Sequence, residues 1–184
     1  MAKIFLFLAD GFEDIEALTP VDFLRRAGLD VTTVSINSTL EVTSAHGVTV
    51  KADCLLTEAH TENALMLIAP GGMPGAQNLY ESAGVCKAFE AQAARGGYIA
   101  AICAAPAVLL GQLGILNGKH ATCYPGFEPK MAEGGAIHQD GRVVTDGNII
   151  TANGPSSAIP FALELVKTIA GPGTAQNIAN GILL

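Results

Sequence analysis

The sequence predicts an α/β fold in which a mostly parallel central sheet is covered by helices on both faces. Short apolar runs bounded by Gly, Pro or Asp alternate along the chain with longer segments of helical period. The short runs are rich in Ile, Val, Leu and Ala at successive positions, which is typical of strands buried on both faces. We therefore predict alternating strands and helices around one parallel sheet.

The apolar runs predict five central strands, at Lys3–Ala9, Asp30–Ile36, Leu65–Ala69, Gly97–Ile102 and Ala121–Cys123. The helical pattern predicts four helices, at about Asp14–Ala27, Ser82–Arg95, Ala104–Leu113 and Ser156–Ala170. Pro20 should kink or break the first of these, because proline removes one hydrogen bond and crowds the preceding turn.

Two further segments predict smaller β structures. Val143–Asp146 and Ile149–Thr151 flank Gly147-Asn148, which favours a hairpin at the sheet edge. The segment from Glu41 to Leu56 has a weaker pattern, with two short strands expected around His46-Gly47.

Composition predicts a single domain over residues 1–184, since no linker-like stretch divides the chain of 184 residues. The net charge of -7 argues against a nucleic-acid partner, because phosphate binding depends on clustered Lys and Arg. The opening run Ile4–Ala9 is too short for a secretory signal, and no run is long enough to span a membrane. We expect a cytoplasmic protein with no membrane partner.

The chain has four cysteines, Cys54, Cys86, Cys103 and Cys123. Without a signal peptide their compartment should be reducing, so we expect free thiols, with disulfides as the minority interpretation. No pair has the short spacing of a structural zinc site, and we expect no metal and no cofactor.

Cys103 ends a predicted strand, and Ala104-Ala105-Pro106 then opens a predicted helix. A nucleophile elbow needs small residues two places before and two places after the reactive side chain, and Ala101 and Ala105 occupy these places. Such an elbow would present the sulfur at the carboxyl edge of the sheet, where open α/β folds bind ligands. The alternative is that Cys103 is only a small buried apolar residue.

Two more segments, the loop after a second strand and the start of the first helix, are expected at the same edge of the sheet. Gly71 and Gly72 follow the strand Leu65–Ala69, so the N–H groups of Gly72 and Ala104 are candidate oxyanion donors. An ordinary tight turn is the alternative at the glycine pair. Glu13, Asp14 and Glu16 begin the first helix, where acidic residues interact favourably with the helix dipole. Glu16 lies further into the helix than the other two, and we expect it to face Cys103.

These segments together resemble the ThiJ/PfpI family, most closely the branch of the parkinsonism-associated protein deglycase. The resemblance covers nearly the whole chain. Five motifs in the same order carry it: Leu8–Glu16, Pro20-Val21-Asp22 with Arg25–Gly28, Pro70-Gly71-Gly72 with Gly75–Leu79, Ala100–Pro106, and Asn153-Gly154-Pro155.

The resemblance implies a flavodoxin-like three-layer sandwich, a homodimer, Cys103 as the nucleophile and Glu16 as the glutamate that meets it. It also implies a glutathione-independent glyoxalase or deglycase activity on methylglyoxal, a small 2-oxoaldehyde, or on its glycated adducts. In this family the same cysteine is readily oxidised, so a redox-sensing or chaperone-like role is the alternative. An enzyme of thiazole biosynthesis finds little support, because the chain has no recognisable phosphate loop.

Further candidate substrate-binding residues are Gly71, Tyr124, Asn153 and His46. The branch often has a histidine before a proline about twenty residues after the cysteine, whereas this chain has Tyr124 before Pro125. No other histidine falls at that place, so a Cys-His relay is in doubt and a peptidase or amidase ranks low. His46 lies where relatives place a basic residue near the pocket, although a loop histidine without chemistry is the more ordinary interpretation.

A reactive Cys103 must be ionised near neutral pH. Lowering a thiol pKa by about 2 units takes about 2.7 kcal/mol, more than a helix dipole alone supplies. Glu16 can stabilise the thiolate only as a neutral carboxylic acid, because an ionised carboxylate would raise the thiol pKa. Our hypothesis is therefore a protonated Glu16 beside an ionised Cys103, with coupled titrations.

Overall fold

A computed structural model describes residues 3–184 of the chain. The strands of this part are β1 Ile4–Leu8, β2 Val31–Ser35, β3 Glu41–Thr43, β4 Thr49–Lys51, β5 Cys54–Leu55, β6 Met66–Ala69, β7 Tyr98–Ile102, β8 His120–Ala121, β9 Ile137–His138, β10 Val143–Asp146 and β11 Ile149–Ala152. The α-helices are α1 Asp14–Arg26, α2 Gly75–Glu81, α3 Ala83–Ala94, α4 Glu128–Glu133, α5 Ala158–Ala170 and α6 Pro172–Gly181. A π-helical segment, here named the elbow helix, covers Pro106–Gly111, and short 3₁₀ turns cover Leu56–Glu58 and Pro155–Ser157.

The central sheet has seven strands in the order β10-β11-β7-β6-β1-β2-β5. All neighbouring strands are parallel except β10 and β11, which form an antiparallel hairpin at one edge. The predicted mostly parallel sheet and the predicted edge hairpin are therefore confirmed. Gly147 in the hairpin turn has a φ of 63°, a conformation that favours glycine.

Apolar side chains pack on both faces of this sheet. Along β1, Phe5 and Phe7 point to one face, whereas Ile4, Leu6 and Leu8 point to the other. The first face is covered by α2, α3, α4 and the elbow helix, and the second by α1, α5 and α6. The three-layer arrangement is confirmed, and burial of each large apolar side chain contributes about 1.5–3 kcal/mol.

The weak pattern between Glu41 and Leu56 forms two short strands as predicted. β3 and β4 pair as an antiparallel hairpin with Val42 opposite Val50. The turn of this hairpin contains His46 and Gly47, and Ala45 N–H donates to the carbonyl of Phe12 at 2.8 Å. The hairpin therefore lies against the loop that leads into α1.

The predicted central strand Ala121–Cys123 is wrong. His120 and Ala121 form β8, which pairs with β9 in a separate two-stranded sheet. The following residues are held across the carboxyl edge of the main sheet instead, because Thr122 N–H donates to Thr151 Oγ1 and Tyr124 N–H donates to the Cys103 carbonyl. An apolar run alone did not distinguish this crossing segment from a strand.

The helices differ from the prediction in three respects. α1 continues through Pro20, so the predicted break is absent; Pro20 is buried on the inner side of this helix. The segment predicted as a helix from Ala104 to Leu113 contains the π-helical elbow helix. The short helices α2 and α4 and the C-terminal α6 were not predicted. Along residues 3–184, no helix combines the length and the apolar character needed to cross a membrane.

Candidate active site

Cys103 lies on a sharp turn at the carboxyl end of β7. Its φ is 66°, a left-handed conformation that is costly for a side chain larger than glycine. Cys103 N–H donates to the Ala152 carbonyl at 2.9 Å, which fixes the turn against the neighbouring strand β11. Ala101 and Ala105, two places on either side, are completely buried, so bulk would clash there. This geometry is that of a nucleophile elbow.

Gly71 separates Cys103 from Glu16. A Cβ atom at this position would lie 2.5 Å from Cys103 Cβ and 2.5 Å from Glu16 Oε2. No side chain fits there, so the glycine allows the thiol-bearing turn and the acidic side chain to approach one another. The parallel strands β1, β6 and β7 end at the same edge of the sheet, as predicted, and this places Cys103 and Glu16 beside each other.

Two backbone amides face the Cys103 sulfur. They belong to Gly72, in the loop after β6, and to Ala104, the next residue along the elbow, and both lower the pKa of the thiol. Gly72 has a φ of 85° and is packed against the Glu13 amide and the Gly11 carbonyl, so a side chain would be excluded. The same two N–H groups lie where they could stabilise an oxyanion formed at the sulfur.

Glu16 is in the first turn of α1 and is completely buried. Its Oε2 atom accepts a hydrogen bond from Gly71 N–H at 3.0 Å. Its Oε1 atom is also buried and, among residues 3–184, has no hydrogen-bond partner of standard geometry. A buried carboxylate without full hydrogen bonding is costly, which favours the protonated form of Glu16.

The pKa values of the two side chains are coupled. Burial raises the pKa of Glu16 to about 7, although contacts with the Cys103 thiol and the Gly71 amide act in the opposite direction. Burial also raises the pKa of Cys103 to about 12, and the Glu16 carboxylate adds to this rise. This direction is opposite to the low thiol pKa that the sequence-based hypothesis required. Because the charge of the Glu16 carboxylate is one cause of the raised thiol pKa, Cys103 ionises more readily when Glu16 holds its proton.

Cys103 opens into a cavity of about 240 Å³ at the carboxyl edge of the sheet. The residues that line this cavity are Glu13, Gly72, Met73, Cys103, Ala104, Tyr124, Phe127 and Pro155. Tyr124 and Phe127 form an aromatic wall, with ring centroids 6.4 Å apart and ring planes at 75°. None of the four histidines, all in the described part of the chain, lines the cavity.

Glu13, Asp14 and His46 form a polar cluster beside the cavity. His46 Nδ1 lies 2.7 Å from Asp14 Oδ2 and 3.8 Å from Glu13 Oε2. The hydrogen bond to Asp14 raises the pKa of His46 above its ordinary value. Among residues 3–184 these are the side chains whose donor atoms lie close enough together, within 4.8 Å, to share a metal ion. His46 Nδ1 lies within hydrogen-bonding distance of Asp14 Oδ2, and we assign no metal to this cluster.

The structure brings together six of the eight predicted site residues: Cys103, Glu16, Gly71, Gly72, Ala104 and Tyr124. Glu16 and Gly71 adjoin Cys103 without lining its cavity, whereas Asn153 and His46 do not line the cavity and make other contacts. Asn153 Oδ1 accepts a hydrogen bond from Ser157 at 2.6 Å, and His46 contacts Asp14. Both side chains are committed to structural hydrogen bonds.

Four lining residues were missed: Glu13, Met73, Phe127 and Pro155. Glu13 was assigned only to the helix dipole, but its side chain makes no capping hydrogen bond. Met73 follows the predicted site residue Gly72, and Pro155 belongs to the Asn153-Gly154-Pro155 motif, so proximity in sequence was the available signal. No comparable signal pointed to Phe127, which precedes the unpredicted α4.

The model of the DJ-1/PfpI family matches residues 2–168. Protein dj-1beta of Drosophila melanogaster is 36% identical over 97% of this chain and 95% of its own. The glutathione-independent glyoxalase DJR-1.2 of Caenorhabditis elegans is 34% identical over 100% of this chain and 96% of its own. The chain spans less than half of two Arabidopsis thaliana relatives, at 41% and 45%.

The solved structure of oxidized Toxoplasma gondii DJ-1 is 39% identical to this chain, with a TM-score of 0.94. The alignment covers 100% of this chain and 98% of that one. This similarity confirms the flavodoxin-like three-layer fold.

Proposed function

The chain belongs to the DJ-1/PfpI family, and we propose that it is a cysteine-dependent, glutathione-independent glyoxalase or deglycase. Its substrates are methylglyoxal or the adducts that methylglyoxal forms with proteins and small molecules. The observation that carries the proposal is the contact region around Gly71, where the Cys103 turn and the Glu16 carboxyl approach each other. This region opens into a cavity, as a catalytic thiol requires.

The first step is addition of the Cys103 sulfur to the aldehyde carbon of methylglyoxal. The site is reactive in the form that has an ionised Cys103 and a protonated Glu16. A carbon–sulfur bond forms while the electron pair of the carbonyl moves to its oxygen. The amides of Gly72 and Ala104 stabilise this oxyanion, and Glu16 then donates its proton to it.

The second step moves hydrogen between the two substrate carbons. Glu16, now a carboxylate, removes the proton from the former aldehyde carbon and returns it to the neighbouring ketone carbon, while the hydroxyl hydrogen gained in the first step moves to the ketone oxygen. The aldehyde carbon is thereby oxidised to a thioester while the ketone is reduced to an alcohol, so no external oxidant is needed. Water hydrolyses the thioester, releasing lactate and the thiol.

The dimensions of the cavity support a small substrate. A volume of about 240 Å³ lies below the range of about 300–1,000 Å³ typical of drug-sized ligands. Methylglyoxal would fit inside it, whereas a bulky adduct would leave most of its mass outside the mouth. The Caenorhabditis elegans relative is named a glutathione-independent glyoxalase, in agreement with this reaction class.

The test is turnover of methylglyoxal by reduced protein in the absence of glutathione. We expect stoichiometric lactate from the parent and none from Cys103→Ser, with glycolate as the product from glyoxal. Hemithioacetals and amine adducts of methylglyoxal form the second substrate panel. If the parent, with its thiol shown to be reduced, converts neither aldehydes nor adducts, the enzyme proposal is wrong.

A redox-sensing role is the second candidate, and one observation favours it. The related Toxoplasma gondii protein was solved in an oxidized form. In this chain the amides of Gly72 and Ala104 would accommodate a sulfinate at Cys103 in the same way as an oxyanion. A function gained only after mild peroxide treatment, without turnover by the reduced protein, would favour the sensor over the enzyme.

We also propose that the protein is a homodimer and that it is located in the cytoplasm. Four large apolar side chains are exposed on neighbouring segments: Ile15 and Leu18 of α1, Val48 of the β3–β4 turn, and Ile159 of α5. α1 contacts α5, and Asp14 contacts His46 of that turn, so these segments adjoin one another. Sedimentation analysis should give a dimer for the parent and a monomer for Ile15→Glu.

A further inference from the structure

The cavity beside Cys103 has one charged wall. Among its lining residues within 3–184, Glu13 is the only carboxylate and there is no Lys or Arg. The Glu13 side chain is mostly buried, with 17% of its surface exposed. A carboxylate in such a place acts on a bound ligand with less solvent screening than a surface charge.

Two features indicate that the Glu13 carboxylate makes no strong stabilising interaction within residues 3–184. It immediately precedes α1, yet its side chain makes no capping hydrogen bond to that helix. Its ion-pair partner is His46 at 3.8 Å, but the same His46 nitrogen lies only 2.7 Å from Asp14. His46 therefore interacts mainly with Asp14, and the negative charge of Glu13 is only partly neutralised.

We propose that Glu13 is a specificity-determining residue that excludes anionic carbonyl compounds, and that His46 limits the strength of this exclusion. The site then takes aldehydes that are uncharged or that carry a cationic amine, in preference to aldehydes with a carboxylate beside the carbonyl. A like charge facing Glu13 is repelled, whereas a cation is attracted. The inference rests on the proposed function for its substrate class, but the charge selection itself needs only a reactive Cys103.

The test compares two alkylating reagents of similar size, neutral iodoacetamide and anionic iodoacetate. Either one forms a carbon–sulfur bond at Cys103 while iodide leaves, so no turnover is involved. The rate at Cys103 is measured by peptide mass spectrometry and divided by the rate with a free small thiol. Taking the ratio of the two reagents cancels the fraction of Cys103 that is ionised.

In the parent we expect iodoacetamide to be favoured over iodoacetate beyond the free-thiol ratio. Glu13→Gln should reduce this preference about tenfold, because it removes the facing charge. Glu62→Gln is the matched control: it changes net charge equally, but Glu62 is exposed before β6, at the sheet edge opposite the cavity. It should leave the preference unchanged. His46→Gln should increase the preference two- to threefold, since it removes the partial compensation of Glu13.

A second measurement on the parent does not depend on any variant folding. Added salt should weaken the preference for the neutral reagent, because it screens a charge at the cavity mouth. The proposal is overturned if a folded Glu13→Gln keeps the parent's preference, or if Glu62→Gln shifts it equally. If Cys103 alkylation shows the charge preference but the protein does not turn over methylglyoxal, the enzyme proposal is wrong and the proposal for Glu13 still holds.

Discussion

Cys103 and Cys123 are both buried, and burial raises the pKa of each thiol to about 12, yet their surroundings differ. Cys103 lies on a strained turn, faces two backbone amides and a buried carboxyl, and opens into a cavity. Cys123 packs in the core on the other face of the sheet, and its thiol pKa is raised only by burial and by the charge of Glu128. A buried thiol therefore becomes a candidate nucleophile through its neighbours. One neighbour of Cys103, the Glu16 carboxylate, loses its negative charge when it takes up a proton.

The largest expected effect is the difference in methylglyoxal turnover between variants of Cys103 and of Cys123. Cys103→Ala should reduce methylglyoxal turnover more than about a thousandfold, because it removes the covalent step. Cys123→Ala should keep turnover within about threefold, since its loss affects packing and not the cavity. Lactate formation under steady-state conditions measures both. Equal losses in two folded variants would contradict the assignment of Cys103.

The same contrast shows what sequence reasoning could reach. Cys103, Glu16 and Gly71 were predictable because each follows a strand of a parallel sheet, and the carboxyl ends of such strands meet at one edge. Cys123 was placed in a central strand because its neighbours are apolar. The backbone N–H groups of Thr122 and Tyr124 instead donate to Thr151 Oγ1 and to the Cys103 carbonyl, which holds this segment across the edge. Those long-range bonds leave no periodic signal.

The cavity wall was less predictable than the catalytic pair. Glu13 and Asp14 are neighbours in sequence and were interpreted alike, whereas only Glu13 lines the cavity. The β3–β4 hairpin distinguishes them, because its His46 binds Asp14 at 2.7 Å. This contact joins residues 32 positions apart in the chain, and local pattern does not reveal it.

The second prediction concerns stability and pH. Glu16 has a pKa of about 7 in the folded protein, above its ordinary value of 4.5, so the folded state holds this proton more tightly than the unfolded state. Stability should therefore fall as pH rises from about 4.5 through about 7, by up to about 3 kcal/mol.

Glu16→Gln cannot ionise and should lack this part of the pH dependence, while other groups contribute equally to both proteins. Urea unfolding at several pH values gives the difference between the two curves. Parallel curves would show that Glu16 titrates alike in the folded and unfolded states, and Glu16 would then differ little from an exposed acid.

The third prediction concerns turnover at the same position. Glu16→Gln should lower kcat about a hundredfold, because glutamine keeps the hydrogen bond from Gly71 but cannot carry a proton between substrate carbons. The same substitution should lower the pKa of the Cys103 thiol, since it removes the carboxylate that raises it. The pH dependence of Cys103 alkylation measures the thiol separately from turnover. A rise in that pKa would mean that Glu16 stabilises the thiolate more than its charge destabilises it.

The smallest expected effect is at the other cysteine. Glu128→Gln removes the charge that raises the pKa of Cys123 but keeps an oxygen to accept the hydrogen bond from Gly126 N–H. Because burial is the larger cause, the pKa of Cys123 should fall by less than about one unit, equivalent to less than about 1.4 kcal/mol. The pH dependence of Cys123 modification in a Cys103→Ala background measures this change. If Glu128→Gln lowered the pKa of Cys123 as far as Glu16→Gln lowers that of Cys103, a nearby carboxylate would control both thiols equally. The distinction between them would then rest on access to the cavity alone.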